Sequence, residues 1–176
     1  MKFLFYLLIS SILLFSSENK YYKEFNLLSN KQIKNILISY KYGLSNNLEW
    51  TLAAIAWQES QGGKYKIGTL SNDYGLCQIN INTHLRDINK ENTPRNISKY
   101  ATKLIEDDKY NLKWATHTLL YWKNYHKNNW LKTWGSYNGG FKPNMKYANQ
   151  IKLRIMALKK HFKPYLLYLN VLYLND

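Results

Sequence analysis

The chain has 176 residues, of which 45% are hydrophobic and 16% aromatic, which suits one compact domain and excludes a mainly disordered protein. Its formal net charge of +14 predicts an anionic partner. The single cysteine, Cys77, excludes an internal disulfide, so the fold must be held together by packing.

The first seventeen residues differ in composition from the rest and predict an export signal. Lys2 precedes an apolar run from Phe3 to Phe15, which is shorter than the ~20 residues of a membrane span and has the length of a secretory signal core. Bulky Leu14 or Phe15 stands where a small residue is preferred before the cleavage site. We therefore predict a signal peptide over 1–17, with an uncleaved N-terminal anchor as the alternative.

After the signal segment the composition is uniform, without repeats or Pro-rich linkers, and predicts one domain over 18–163 followed by a C-terminal tail over 164–176. The tail is rich in Leu and Tyr, and its pattern leaves open whether it packs on the domain or meets a partner. An exported protein belongs in the periplasm or cell envelope, which argues against nucleic acid as the anionic partner. Membrane contact is expected only through the N-terminal segment.

Apolar residues recur at helical spacing in two segments of the first half of the domain. One helix is predicted over Lys31 to Tyr42, ending at Gly43, and a second from Asn47 to about Ser60. The apolar positions are Ile33, Ile36, Leu37 and Tyr40 in the first helix, and Leu48, Leu52 and Ile55 in the second. Glu59 continues the second series, so a carboxylate ends a buried helix face.

The stretch from Gln61 to Asn82 contains several glycines and predicts loops with a small hairpin. Three more helices follow, over Asn111 to about His126, over Trp130 to Trp134 with a stop at Asn138-Gly139-Gly140, and from Lys146 to about Phe162. Tyr147, Ile151, Ile155, Leu158 and Phe162 form the buried side of the last one. The pattern predicts a mainly α fold with a helical core and a small loop or hairpin region.

The position of Glu59 favours an unusually basic carboxylate. Burial in an apolar wall raises the pKa of a carboxyl group, and the C-terminal end of a helix also disfavours negative charge. Such a group keeps its proton near neutral pH and can protonate the leaving oxygen of a glycosidic bond. A surface glutamate at a fraying helix end is the plain alternative, and position alone does not decide between them.

Three sequence blocks carry a resemblance to a known family: Glu59-Ser60, residues 73–80 (DYGLCQIN) and residues 136–140 (SYNGG). Together they resemble the lytic transglycosylase (SLT domain) family, where a Glu-Ser at a helix end, a Gly-Leu-Met-Gln segment and a Tyr-Asn-Gly turn occur in this order. The resemblance covers roughly Leu48 to Phe162. It implies a goose-type lysozyme-like α+β fold.

The chain departs from the family pattern at two places. Cys77 stands where the family usually has Met, a modest change because a lone Cys behaves as a small hydrophobe. The Gly62-Gly63 pair between the first two blocks is unusual and leaves the shape of that loop open.

The resemblance implies a peptidoglycan lytic transglycosylase, a lyase that cleaves the bond between N-acetylmuramic acid and N-acetylglucosamine and leaves 1,6-anhydro ends. Glu59 would be its general acid and base. Ser60, Gln78, Tyr137 and Asn138 would bind substrate, with Tyr137 either bonding to Glu59 or stacking on a sugar. The small, exported single domain is also similar to specialised transglycosylases that serve secretion, conjugation or pilus machines.

Two alternatives stay open. Residues 73–80 also resemble c-type lysozymes, in which Asp73 would be a second carboxylate and the reaction a hydrolysis, although Asp73 capping its own turn is an equally good interpretation. The alternative of another class is a non-catalytic module that binds peptidoglycan or a secretion apparatus. The histidines show no metal-ligand spacing and no phosphate-binding loop is present, so we expect neither metal nor cofactor.

Overall fold

The computed structural model describes residues 20–68 and 70–161, most of which are helical. The predicted signal segment 1–17 and tail 164–176 lie outside the described residues, as does Phe162. A helical segment over 20–26 comes first. The helices that follow are α1 (Asn30–Gly43), α2 (Glu49–Ser60), α3 (Ile81–Asp87), α4 (Pro94–Glu106), α5 (Asp108–Tyr125), α6 (Trp130–Gly139) and α7 (Met145–His161), with a 3-10 turn (Leu44–Asn46) before α2.

A small antiparallel sheet lies between α2 and α3 in the chain. Its strands β1 (Ile67–Gly68), β2 (Asp73–Tyr74) and β3 (Ile79–Asn80) pair in the order β1-β2-β3. This confirms the expected mainly α fold with a small hairpin region. The predicted loop region was too long at its end, because Ile81 already begins α3.

Helix α2 is the centre of the core. The sequence pattern assigned it one apolar stripe, but its residues from Thr51 to Trp57 are all buried, because α1 and α7 both pack along it. Leu52 and Ile55 are completely inaccessible to solvent. Burying the helix nearly all round leaves Glu59, at its C-terminal end, on the boundary between the core and the surface.

The helix ends follow from capping groups in the sequence. Ser29 and Gln32 form a reciprocal capping box at the start of α1, and the Asp107 carboxylate accepts a hydrogen bond from the Tyr110 backbone N–H at the start of α5. Thr93 caps α4, whose first residue is Pro94. Helices α3 and α4 occupy a stretch in which we predicted no helix.

Helix α6 is longer than its predicted range of Trp130 to Trp134. It continues to Gly139, so the Tyr137-Asn138-Gly139 segment, expected as a turn, is the last turn of a helix. The buried Ser136 keeps this turn packed against its neighbours, and Gly140, with a φ of 61°, ends it. The helical conformation directs consecutive side chains of the segment to different sides.

The Gly62-Gly63 pair lets the chain leave α2 in contact with α1. Both glycines have positive φ, 65° and 88°, which L side chains rarely adopt. A Cβ on Gly62 would lie 2.7 Å from the Gln32 carbonyl oxygen. The Gln32 side-chain amide in turn donates to the Gln61 carbonyl oxygen at 2.7 Å, so the unusual pair allows a close approach to α1.

Candidate active site

A groove of about 470 Å³ lies where the C-terminal ends of α2 and α6 face the sheet, α3 and α5. Five of the six predicted site residues line it: Glu59, Asp73, Gln78, Tyr137 and Asn138. Three parts of the sequence that lie up to 79 positions apart, from Glu59 to Asn138, therefore meet in one place. This juxtaposition is what the order of the sequence blocks predicts.

Glu59 lies on the groove wall with an elevated proton affinity. Burial raises the pKa of its carboxyl group to about 7, and the negative charge of Asp73 acts in the same direction. A hydrogen bond from Tyr147 and the positive charge of Arg154 oppose this rise. The carboxyl group is thus partly protonated at neutral pH, and it borders a space that a ligand can enter.

Tyr147 is the functional candidate that the sequence pattern missed. Its hydroxyl donates a hydrogen bond to Glu59 Oε1, and its side chain is buried. The helical periodicity of α7 identified it only as a member of an apolar face. The available signal was its hydroxyl group, because a buried phenol usually finds a hydrogen-bond partner.

Tyr137 borders the groove but bonds to a different group. Its hydroxyl donates to the Cys77 carbonyl oxygen at 2.8 Å, and burial raises the pKa of the phenol well above its ordinary value. One of the two roles predicted for Tyr137 was a hydrogen bond to Glu59, and Tyr147 makes that hydrogen bond instead. Tyr137 holds the loop that carries Gln78 against α6.

Asn111 holds the same loop from below. This side chain is fully buried in α5, and its Oδ1 accepts from the Cys77 N–H at 2.7 Å. Its Nδ2 donates to the carbonyl oxygens of Tyr74 at 2.8 Å and Leu104 at 3.2 Å. Gly75 passes so close that a Cβ there would lie 2.0 Å from Asn111 Nδ2. The loop therefore has one well-determined position over α5.

The side-chain amides of Gln78 and Asn138, both predicted to bind substrate, line the groove and differ in their hydrogen bonds to the protein. Gln78 has a positive φ of 49°, and its Nε2 donates to the Gly75 carbonyl oxygen at 2.9 Å. Asn138 is exposed, and its Oδ1 accepts from Asn144 Nδ2 at 2.8 Å. The Asn138 side-chain amide also has N–H groups, which are donors of the kind that a sugar oxygen accepts from.

Ser60 lies beneath the groove and not on its surface. The residue is fully buried, and its hydroxyl donates to the Leu76 carbonyl oxygen at 2.7 Å. Ser60 Oγ in turn accepts from the Gly63 N–H at 2.8 Å. Ser60 thus ties the end of α2 to both neighbouring loops, a positioning role rather than the substrate contact that the resemblance implies.

Asp73 faces the groove from β2. Its Oδ1 accepts from Asn80 Nδ2 at 2.9 Å, across the pair of strands in which these two residues are directly opposite. The carboxylate is therefore held by the sheet and not by its own turn. It is near enough to Glu59 for its charge to raise the Glu59 pKa.

The groove continues into a second cavity of about 520 Å³. The two spaces share Thr83, Arg86, Thr118, Trp122 and Phe141 among their lining residues. The Trp122 and Phe141 rings meet edge to face with centroids 5.1 Å apart. An elongated groove with an aromatic wall suits an extended polymer better than a small compact ligand.

Within residues 20–68 and 70–161, no group of three or more His, Cys, Asp and Glu side chains could hold a metal ion. None of the helices in these ranges is long and apolar enough to cross a membrane. At the groove, Glu59 is the carboxyl group whose raised pKa leaves it a proton to give at neutral pH.

Comparison with known proteins adds a family match. The profile of the transglycosylase SLT domain matches residues 37–154, more than half of the chain and a range that contains every residue lining the groove. A protein of Enterobacteria phage T4, described as an uncharacterized 20.7 kDa protein in the vs-regB intergenic region, is 28% identical over 176 aligned residues. The alignment covers 88% of this chain and 91% of that protein. No solved structure matches the chain.

Proposed function

Because the chain belongs to the transglycosylase SLT domain family, whose members are lytic transglycosylases acting on peptidoglycan, we propose that it cleaves the β-1,4 bond between N-acetylmuramic acid and N-acetylglucosamine and leaves 1,6-anhydro ends. The observation that carries the proposal is the carboxyl group of Glu59, which has a pKa of about 7 and lines a polymer-sized groove. Glu59 is the proposed general acid and base.

In the first step, the protonated Glu59 donates its proton to the glycosidic oxygen as the bond from that oxygen to C1 of N-acetylmuramic acid breaks. Positive charge develops on the sugar ring, and the new Glu59 carboxylate faces it. Because the pKa is raised to about 7, a useful fraction of the enzyme carries this proton at neutral pH.

In the second step, the Glu59 carboxylate removes the proton from the C6 hydroxyl of the same sugar while that oxygen bonds to C1. The proton returns to Glu59, and no water is consumed. One carboxyl group suffices because the nucleophile is already tethered to the substrate. Tyr147 orients the carboxyl group through its hydrogen bond, and Gln78 and Asn138 bind the N-acetyl and hydroxyl groups of the glycan.

Replacing Tyr147 with Phe is expected to move the alkaline limb of the pH–activity profile upward by about 0.5–1 unit, because the lost hydrogen bond stabilised the charged form of Glu59. The wild-type limb should lie near pH 7, with activity falling as Glu59 loses its proton. The measurement is the rate of peptidoglycan clearance against pH. Tyr137→Phe is the matched control: its hydroxyl bonds to Cys77, so its limb should stay where the wild type has it.

Asp73 makes hydrolysis the second candidate reaction. A retaining hydrolase needs two carboxyl groups about 5–5.5 Å apart in one groove. The proposed reaction needs only one, so Asp73→Asn is expected to retain most activity and to lower the Glu59 pKa by removing a nearby negative charge. Mass spectrometry of digested peptidoglycan decides between the reactions. Anhydro ends are one water lighter than reducing ends, and reducing ends lost in Asp73→Asn would establish the hydrolase instead.

We also propose that the protein acts outside the cytoplasm, in the periplasm or cell envelope. The support is the predicted export signal over 1–17 together with a substrate that lies beyond the cytoplasmic membrane. Recruitment by a secretion, conjugation or pilus apparatus would bring the protein to the wall where a gap is needed. The strongly basic surface would add a salt-sensitive attraction to the anionic envelope.

A further inference from the structure

A second aromatic pocket lies away from the groove. Its volume is about 250 Å³, and three of the chain's six tryptophans line it: Trp50, Trp130 and Trp134. Glu49 and Lys159 add charged groups to the same lining. Half of the protein's tryptophans thus border one small cavity that shares no lining residue with the groove.

The pocket lies at the opposite end of the helices that build the groove. Helices α2 and α6 begin at the pocket and end at the groove, while α7 runs the other way, from Tyr147 at Glu59 to Lys159 at the pocket. Thr51 of the pocket and Glu59 are eight positions apart on α2, or about 12 Å along the helix. A sugar at Glu59 therefore does not fill the pocket.

The indole rings are held in place. The Trp130 and Trp134 rings lie 5.9 Å apart between centroids and are tilted by 32°, and Trp134 Nε1 donates to Thr51 Oγ1 at 3.3 Å. The Trp50 ring meets Tyr40 edge to face at 4.8 Å, and Lys159 Nζ lies 5.7 Å from its centroid. Rings fixed before binding lose little conformational entropy when a ligand stacks on them.

This combination of groups suits a sugar. The C–H face of a pyranose ring is apolar and packs on an indole, whereas its hydroxyl and N-acetyl groups need polar partners at the rim. Glu49 supplies an acceptor and Lys159 a donor there. The pocket is smaller than the roughly 300 Å³ of drug-sized ligand sites and fits a single sugar ring.

We propose that the pocket formed by Trp50, Trp130 and Trp134 is a second glycan-binding site, which holds one N-acetylated sugar of peptidoglycan while another stretch of glycan occupies the groove. The identity of the polymer rests on the proposed function. On an insoluble wall with many strands, a second contact raises the effective concentration of glycan at the groove. A short soluble fragment cannot engage both sites and gains nothing.

The test compares wild type, Trp130→Ala and Trp130→Phe, each in a Glu59→Gln background, in co-sedimentation with purified peptidoglycan sacculi. Trp130→Ala should weaken binding by about tenfold, and Trp130→Phe, which restores a ring, should recover most of it. In proteins that keep Glu59, Trp130→Ala should slow digestion of sacculi but leave cleavage of short soluble glycan fragments unchanged. Equal sedimentation of all three variants, with folding verified by thermal unfolding, would overturn the proposal.

The two proposals fail in different ways. If the wild type cleaves no glycan and sacculus binding still depends on Trp130, the proposed function fails and the pocket remains a glycan site. If the wild type cleaves glycan and neither sedimentation nor sacculus digestion depends on Trp130, the second site fails and the function remains.

Lys159→Glu should weaken sacculus binding more than Lys113→Glu, which makes the same change of charge on α5 outside the pocket.

Lipid is the other occupant to test. Vesicles of phosphatidylglycerol serve as the second probe. Vesicle binding that depends on Trp130, with sacculus binding unaffected, would replace the glycan by a membrane surface as the occupant and overturn the proposal.

Discussion

Glu59→Gln should lower glycan cleavage by about 10²–10⁴-fold or more while the protein still folds and sediments with peptidoglycan. Glutamine preserves the size and the polar contacts of the side chain but has no acidic proton to give to the glycosidic oxygen. Cleavage is measured as release of soluble fragments from purified sacculi. Glu106→Gln, the same change at the exposed end of α4, is the matched control and should leave cleavage unchanged.

The same experiment tests the alternative of another class. A non-catalytic module would bind sacculi without releasing fragments, and the wild type and Glu59→Gln would then behave alike. Residual cleavage near the wild-type level in Glu59→Gln would instead assign the proton transfer to another group, with Asp73 the first candidate in the groove.

The second large effect is expected on stability. Asn111→Leu should lower the free energy of unfolding by about 3–6 kcal/mol, because it leaves two buried and one partly buried backbone group without their hydrogen-bond partner. These groups are the Cys77 N–H and the carbonyl oxygens of Tyr74 and Leu104. Urea denaturation followed by tryptophan fluorescence gives the difference.

The matched control is Asn149→Leu, at an exposed position of α7, which should change stability by no more than about 0.5 kcal/mol. A loss below about 1 kcal/mol for Asn111→Leu would mean that these backbone groups find other partners and that Asn111 does not fix the loop carrying Gln78. Because that loop forms one wall of the groove, partial unfolding there should also lower activity at temperatures where the rest of the protein is intact.

Sequence periodicity located the carboxyl group because Glu59 ends an apolar series on α2. The order of three short blocks then brought Gln78, Tyr137 and Asn138 to the same groove. Both predictions depend on local spacing or on fixed motifs, which are visible in one dimension. The helical fold was predictable for the same reason, since α1, α5 and α7 have apolar faces and α2 is mostly apolar.

The features that the sequence did not predict depend mostly on contacts between distant segments. Tyr147 reaches Glu59 from 88 positions away, and nothing in the local pattern of α7 separates it from a core aromatic residue. Ser60 sits inside a motif, but only the surrounding loops show that its hydroxyl is buried and bonded to Leu76. Helix α3 has only seven residues, too few to show a helical period. Helix α4 was missed although its apolar residues recur at helical spacing and Thr93-Pro94 is a good helix start.

The proposed mechanism requires the Glu59 carboxyl group to hold a proton at neutral pH. NMR titration of protein with ¹³C-labelled glutamate side chains measures this directly, with Glu59→Gln assigning the signal by its disappearance. The predicted result is that the Glu59 carboxyl group titrates at about 7, well above the ordinary value of 4.5. A Glu59 signal that titrates near the ordinary 4.5 would contradict the proposed mechanism, because the acid would then be ionised at neutral pH.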